Sequence, residues 1–104
     1  MNKVYVVNKS GHDFKAAERF GELVFLSQGK MDRYAITSVY REFSDVLNES
    51  DPDDYILLTG LSSMSAVACS IFAYKWERLN LLLYKNNKYI ERHLILGELI
   101  NKEQ

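Results

Sequence analysis

The segment Tyr55–Ser65 constrains the fold of this chain more than any other stretch. An apolar strand runs into a Thr59-Gly60 break, and two serines, Ser62 and Ser63, then open a helix of small residues. α/β proteins use this order to build pockets for anionic ligands, because the backbone N–H groups at a helix start attract negative charge. The segment therefore predicts an α/β unit with a candidate site at its turn.

Strand-type and helix-type patterns alternate along the chain in the order β-α-β-α-β-α-β-β. This alternation implies a mostly parallel sheet with helices on both faces, joined by right-handed crossovers. The pair Asn86-Asn87 suits a two-residue hairpin turn, because asparagine tolerates positive φ. We therefore predict an α/β fold, a small Rossmann-like or flavodoxin-like sandwich of about five strands that ends in a C-terminal β-hairpin. The predicted strands are Lys3–Val7, Glu22–Ser27, Tyr55–Thr59, Leu79–Lys85 and Tyr89–Ile95, and the predicted helices are Phe14–Phe20, a longer one capped by Asp32, and one from about Ser63 to Trp76.

Length and composition predict one domain, residues 1–104, with a single core. The formal net charge of −1 gives no global field toward nucleic acid or an anionic membrane, so neither is an expected partner. No apolar run reaches the roughly 18 residues of a membrane span. The lone cysteine, Cys69, has no internal disulfide partner, which favours a reducing compartment, so we expect a cytoplasmic protein.

Three loops are expected to meet at the carboxyl edge of the predicted sheet, one after each of the first three strands. They supply cations, hydroxyl and amide groups, and glycines that let the backbone approach a ligand. The alternative is that these are ordinary turn and cap residues, which use the same amino acids. The predicted ligand-binding residues are Asn8, Lys9, Ser10, Gly11, His12, Lys30, Arg33, Thr59, Gly60, Ser62 and Ser63.

Known signatures for nucleotide cofactors and for catalysis are missing. Gly60 is not followed by the glycine, lysine and hydroxyl spacing of a P-loop, and Gly11 lacks the glycine partners of a dinucleotide fingerprint. His12 next to Asp13 suggests a general base, but adjacent residues in a turn rarely face each other, and Asp13 suits a helix cap. Two histidines and one cysteine are too few for a zinc site. We therefore assign no catalytic residue, metal or cofactor and do not expect an enzyme.

The third predicted helix carries a face of small residues around Cys69. Such a face either allows close packing on the sheet or forms the seam of a homodimer, and the sequence does not separate the two.

Several segments together resemble a family of small phage-encoded α/β proteins with no known activity. They are Val4–Asp13, Arg19–Leu26, Asp54–Leu61 and Leu79–Tyr84. The resemblance implies a non-enzymatic role in host takeover or in countering host defence, inside the host cytoplasm. The strand-Thr-Gly-helix unit is also similar, at the level of architecture, to the ligand loop of Rossmann-like domains that sense nucleotides, including cyclic oligonucleotides.

Two main hypotheses follow from these observations. In the first, the chain binds a phosphate-containing small molecule such as a nucleotide without turnover, over the start of the Ser63 helix. In the second, it is a protein-interaction module that binds and inhibits a host protein. A hydrolase that uses His12 ranks third.

Overall fold

A sheet of five strands organises residues 2–9 and 11–101, which are the residues that this computed structural model describes. The first four strands of the chain are parallel, and the last two form an antiparallel hairpin. The predictions of an α/β fold and of a C-terminal hairpin are confirmed. The strands are β1 (Lys3–Val6), β2 (Glu22–Phe25), β3 (Tyr55–Leu57), β4 (Arg78–Lys85) and β5 (Lys88–Ile95), and their order across the sheet is β2-β1-β3-β4-β5.

Helices cover the two faces of the sheet unequally. Two long helices, α1 (Ile36–Leu47) and α2 (Ser62–Trp76), pack on one face, and a 3₁₀ helix (Lys15–Phe20) packs on the other. A short helix, α3 (Leu96–Asn101), ends the described chain. None of the helices in the described residues is both long enough and apolar enough to cross a membrane.

The helix that Asp32 was expected to cap begins later than predicted. The Asp32 carboxylate accepts a hydrogen bond from the Tyr34 backbone N–H at 2.9 Å, and its carbonyl accepts one from Ala35. These bonds make a turn, so α1 begins at Ile36 with Ala35 as its N-cap. Aspartate forms such a turn with its own backbone as readily as it caps a helix.

Strand β1 lies at the centre of the core. Val4, Tyr5, Val6 and Val7 are each at most 1% exposed. Tyr5 and Val7 pack toward α1 and α2, whereas Val4 and Val6 pack toward the 3₁₀ helix. Each apolar side chain buried in this way contributes on the order of 1.5–3 kcal/mol. The strand is therefore anchored on both faces as well as on both edges.

The hairpin turn has the backbone geometry that the sequence predicts. Asn86 and Asn87 have φ angles of +50° and +65°, as the central residues of a type I′ turn require. The Tyr84 hydroxyl donates a hydrogen bond to Asn87 Oδ1 at 2.8 Å. The turn therefore fixes the register of β4 and β5 and holds the Tyr84 ring in place.

Polar side chains tie the amino edge of the sheet together. The Asp54 carboxylate is buried and accepts hydrogen bonds from the backbone N–H groups of Lys3 (2.9 Å) and Asp51 (2.8 Å). The Asn80 amide donates to the carbonyls of Pro52 and Asp54, each at 2.8 Å. At this edge the buried polar groups bond to the protein itself, which is a structural role.

Tyr5 buries a hydroxyl group that has no hydrogen-bond partner among the described residues. Burial raises its pKa from 10.0 to about 12, and the nearby charges of Asp54, Asp51 and Glu49 add to the increase. An unpaired buried hydroxyl destabilises a fold by on the order of 1–3 kcal/mol. The Tyr5 ring therefore stabilises the core, while its hydroxyl opposes that contribution.

Replacing Tyr5 by phenylalanine removes the unpaired hydroxyl and keeps the ring, so we expect Tyr5→Phe to raise the free energy of unfolding by about 1 kcal/mol in urea denaturation at neutral pH. Because the pKa of Tyr5 is raised in the folded state, the unfolded chain loses this proton first, so the free energy of unfolding falls as the pH rises from 10 to about 12. The Tyr5→Phe variant should lack the part of this fall in the free energy of unfolding that the titration of Tyr5 causes.

Tyr55→Phe is the matched control for the expected gain in stability at neutral pH. The Tyr55 hydroxyl donates to Glu91 Oε2 at 2.7 Å, so its removal should not stabilise the protein. A Tyr5→Phe variant that is less stable than the wild type would show that the Tyr5 hydroxyl is satisfied in solution.

Candidate ligand site at the carboxyl edge of the sheet

The loops that follow β1, β2 and β3 meet at the carboxyl edge, as the sequence predicted. The Lys9 backbone N–H donates to the Ser27 carbonyl at 2.8 Å, and the Gly29 N–H donates to the Lys9 carbonyl at 3.1 Å. The Asn8 side chain donates to the Gly29 carbonyl at 2.9 Å. Gly60 contacts Asn8 so closely that an added Cβ would lie 2.9 Å from the Asn8 Cβ. Hydrogen bonds therefore join the first two loops, and packing joins the third.

The meeting point is an open cavity of about 560 Å³, which we call the central cavity. Two lysines supply positive charge, and none of the described residues that line it is acidic. Gly60 exposes its backbone to the cavity. A larger residue would be strained there, because the φ angle is +83° and an added Cβ would lie too close to Asn8. The lining residues are Asn8, Lys9, Gly11, Gly29, Lys30, Met31, Gly60 and Leu61.

A second cavity of about 170 Å³, the aromatic cavity, lies on one side of the central cavity. His12 and Thr59, two of the predicted ligand residues, belong to it rather than to the central cavity. Its lining residues are His12, Asp13, Phe14, Leu57, Leu58, Thr59, Tyr84 and Tyr89.

A third cavity of about 280 Å³, the helix cavity, adjoins the central cavity through Leu61. It contains the predicted residues Arg33, Ser62 and Ser63 at the start of α2, together with Tyr34. The Ser63 hydroxyl lies 3.4 Å from the Arg33 carbonyl, and no side chain caps the first turn of α2. The helix start therefore keeps N–H groups that a side-chain cap would otherwise occupy.

The structure thus divides the predicted residues among three adjoining cavities. Five of them line the central cavity, namely Asn8, Lys9, Gly11, Lys30 and Gly60. Ser10 was also predicted to contact the ligand, but it lies outside the described residues.

Asn8 has a role that its sequence position did not reveal. Its side chain is only 3% exposed, and its Oδ1 has no hydrogen-bond partner among the described residues. An unpaired buried acceptor destabilises a protein by on the order of 1–3 kcal/mol and calls for an explanation. Oδ1 is covered by neighbouring atoms, so an incoming donor reaches it only when the amide or the Gly60 turn shifts.

The lysines of the central cavity are held differently. The Lys9 ammonium lies 4.9 Å from the centre of the Phe25 ring, a cation–π contact that orients the side chain. Lys30 is exposed on the loop after β2. One cation is therefore restrained by an aromatic ring, and the other projects from a loop.

Sequence reasoning missed the contribution of the β4–β5 hairpin to this edge. Tyr84 and Tyr89 pair directly across the hairpin and line the aromatic cavity. The sequence contained the signal for this contribution. The predicted turn at Asn86-Asn87 lies between the two tyrosines. A fourth strand parallel to the first three ends at the carboxyl edge, so its hairpin turn lies there too.

No group of three or more His, Cys, Asp or Glu side chains in the described residues is arranged to hold a metal ion. Burial raises the pKa of the Cys69 thiol, which disfavours the reactive thiolate. The Asp13 carboxylate accepts the Lys15 backbone N–H at 2.9 Å, so it supports the start of the 3₁₀ helix.

Comparison with known proteins identifies one family. A family model described as "Phage Pam3 gp32-like protein" matches residues 2–95, which is most of the chain. No curated protein and no solved structure matches. The resemblance to a phage-encoded family is therefore confirmed.

Replacing Asn8 by aspartate tests how this amide holds the loops. Asn8→Asp places a carboxylate oxygen 2.9 Å from the Gly29 carbonyl, where the wild type has an N–H donor. We expect a loss of at least about 2 kcal/mol in the free energy of unfolding at pH 7. Because a protonated carboxyl can donate to the carbonyl, the loss should shrink when urea denaturation is repeated near pH 4.

The matched control is Asn48→Asp, at an exposed asparagine at the C-terminus of α1. It should change stability only slightly and without the recovery at low pH. An Asn8→Asp variant as stable as the wild type at pH 7 would contradict the assigned role of the amide.

Proposed function

We propose that this chain, which belongs to the Phage Pam3 gp32-like protein family, binds a small anionic molecule such as a nucleotide in the central cavity, without catalytic turnover. The observation that carries the proposal is the convergence of three loops around one cavity with two lysines and the unpaired Asn8 acceptor in its wall. Neighbouring parallel strands bring their loops together in any case, so the two lysines and the unpaired acceptor are what favour a ligand over ordinary turns.

The position of the cavity within the sheet supports the proposal. The chain passes from β1 outward to β2 and then returns across β1 to β3, so the strand order reverses between β1 and β3. Open α/β sheets bind ligands outside the carboxyl ends of the strands at such a reversal. Asn8 follows β1 and Gly60 follows β3, so both lie at that point. On this basis we assign the fold to the flavodoxin-like class of Rossmann-like sandwiches.

Size and charge also favour a small anion. A volume of about 560 Å³ lies within the range of about 300–1,000 Å³ that small-molecule sites occupy. Lys9 and Lys30 would neutralise the anion, and the positive end of the α2 dipole begins just beyond Leu61. Asn8 Oδ1 would accept a hydrogen bond from an N–H or O–H group, so the ligand should carry a donor as well as a charge.

Binding without turnover is consistent with the chemistry of the edge. His12 lies in the aromatic cavity, with its ring 6.1 Å from that of Phe14, and the Asp13 carboxylate accepts the Lys15 backbone N–H. A binder of this kind would act in the host cytoplasm by sequestering a phosphate-containing signal, which is one way for a phage factor to counter host defence.

Isothermal titration with nucleoside mono-, di- and triphosphates, cyclic nucleotides and inorganic phosphate tests the proposal. We expect at least one compound to bind with a Kd below about 1 mM, more weakly as salt is raised. Lys30→Ala should weaken that binding about tenfold, which corresponds to about 1.4 kcal/mol.

Lys88→Ala is the control, because this exposed lysine lies beside the hairpin turn and outside the central cavity. It should leave affinity unchanged. Absence of binding across the panel, or equal losses in the two lysine variants, would overturn the proposal.

A groove between α1 and α2 favours a second candidate function, binding and inhibition of a host protein. The groove encloses about 720 Å³ and is mostly apolar. Tyr40 is 52% exposed and Tyr74 is 92% exposed, and exposed aromatics on an apolar surface are typical of protein interfaces. The homodimer considered for the small-residue face of α2 would use the same groove, because Ala66 and Ser70 line it.

Double substitution Tyr40→Ser with Tyr74→Ser separates this candidate from the first. If the groove binds a protein, the variant should lose a stoichiometric partner that the wild type retains in affinity capture, while keeping its affinity for small anions. Light scattering of the purified wild type tests for a dimer. Partner binding unchanged in the variant would exclude the groove as the interface.

A further inference from the structure

The aromatic cavity and the central cavity are lined by neighbouring residues of the same two loops. Gly11 lines the central cavity and His12 the aromatic one, and Gly60 and Thr59 are divided in the same way. Consecutive Cα atoms are about 3.8 Å apart, so on two separate loops a residue of one cavity lies next to a residue of the other. A ligand with two linked parts could therefore place one part in each cavity.

The walls of the aromatic cavity suit a flat ring. Tyr84 is 58% exposed and stands edge-on to Tyr89, with ring centres 5.4 Å apart and an angle of 62° between their planes. Phe14 is buried, with its ring centre 6.1 Å from that of His12. A volume of about 170 Å³ is too small for a whole ligand of ordinary size, and it suits one ring system.

One edge of this cavity offers hydrogen-bond acceptors. Asp13 Oδ1 already accepts the Lys15 N–H, and a carboxylate has a second oxygen with further acceptor capacity. Asp13 lines the same cavity as Tyr89, and its charge adds to the increase in the pKa of Tyr89 that burial causes. Thr59 contributes a hydroxyl group. The polar edge therefore favours a ring that donates hydrogen bonds.

We propose that the aromatic cavity is the subsite for a nucleobase with an exocyclic amino group, in a nucleotide whose phosphate occupies the central cavity. The ring stacks against Tyr84 and His12, and its amino group donates to the Asp13 carboxylate. This inference rests on the proposed function, because it needs an anion in the central cavity. It adds a preference between bases that the central cavity alone does not provide.

Titration of GMP, AMP, CMP, UMP and ribose 5-phosphate against the full chain tests the inference. The three amino-bearing nucleotides should bind at least about tenfold more tightly than ribose 5-phosphate, since stacking of a base on an aromatic ring strengthens binding by about that factor or more. Tyr84→Ala should remove most of this advantage and leave the affinity for ribose 5-phosphate unchanged. Tyr74→Ala, at another exposed tyrosine, should change neither.

Asp13→Asn tests the polar edge with little risk to folding, because its amide oxygen can still accept the Lys15 N–H. It should reduce the preference for amino-bearing bases over UMP about fivefold or more. Asp32→Asn is the matched control, since Asp32 makes the same bond two residues ahead, to Tyr34, in another loop. It should alter affinity for all five compounds equally.

The outcomes distinguish this inference from the function on which it rests. If ribose 5-phosphate binds as tightly as the nucleotides and Tyr84→Ala has no effect, the base subsite is overturned while the anion site stands. If neither the sugar phosphate nor inorganic phosphate nor any nucleotide binds, the proposed function fails, and this inference fails with it. Circular dichroism of each variant ensures that a loss of binding is not a loss of fold.

Discussion

The burial of β1 on all sides is the constraint on which the rest of the structure depends. The strand pairs with β2 on one edge and β3 on the other, and its three buried side chains, Val4, Tyr5 and Val6, fill both layers of the core together with Val7, the next residue. Because both faces and both edges of this strand are covered, polar side chains that follow it can reach solvent only beyond its carboxyl end. Asn8 and Lys9 emerge there between the loops of two neighbouring strands, which places polar groups at the reversal of strand order.

The two edges of the sheet use buried polar groups differently. At the amino edge, Asp54 and Asn80 bond to backbone groups of two segments, the start of β1 and the turn before β3, and close that side. At the carboxyl edge, Asn8 makes one bond through its amide nitrogen, and its oxygen has no partner among the described residues. Buried polar groups that support only the fold are normally paired. Tyr5 also buries an unpaired hydroxyl, but it lies in the core, whereas Asn8 lines the central cavity, and this is the reason for placing the proposed ligand at the carboxyl edge.

Local patterns were enough to predict the features that depend on neighbouring residues. The Asn86-Asn87 turn follows from the tolerance of asparagine for positive φ, and the order of strands and helices follows from hydrophobic periodicity. Prediction failed where two local roles compete. Asp32 could cap a helix or form a turn. In the structure it bonds to Tyr34 in a turn, and α1 begins only at Ile36, after Ala35.

The sequence by itself determined the fold class, the C-terminal hairpin and the set of polar loops, because each depends on periodicity or on the conformational preference of single residues. Only the tertiary structure decided which of those loop residues share a cavity. Lys30 joins Asn8 at the centre, whereas Arg33 and His12 lie in flanking cavities, and the hairpin brings Tyr84 to the same edge. Contacts between residues more than 20 positions apart depend on strand order and packing, which no local pattern encodes.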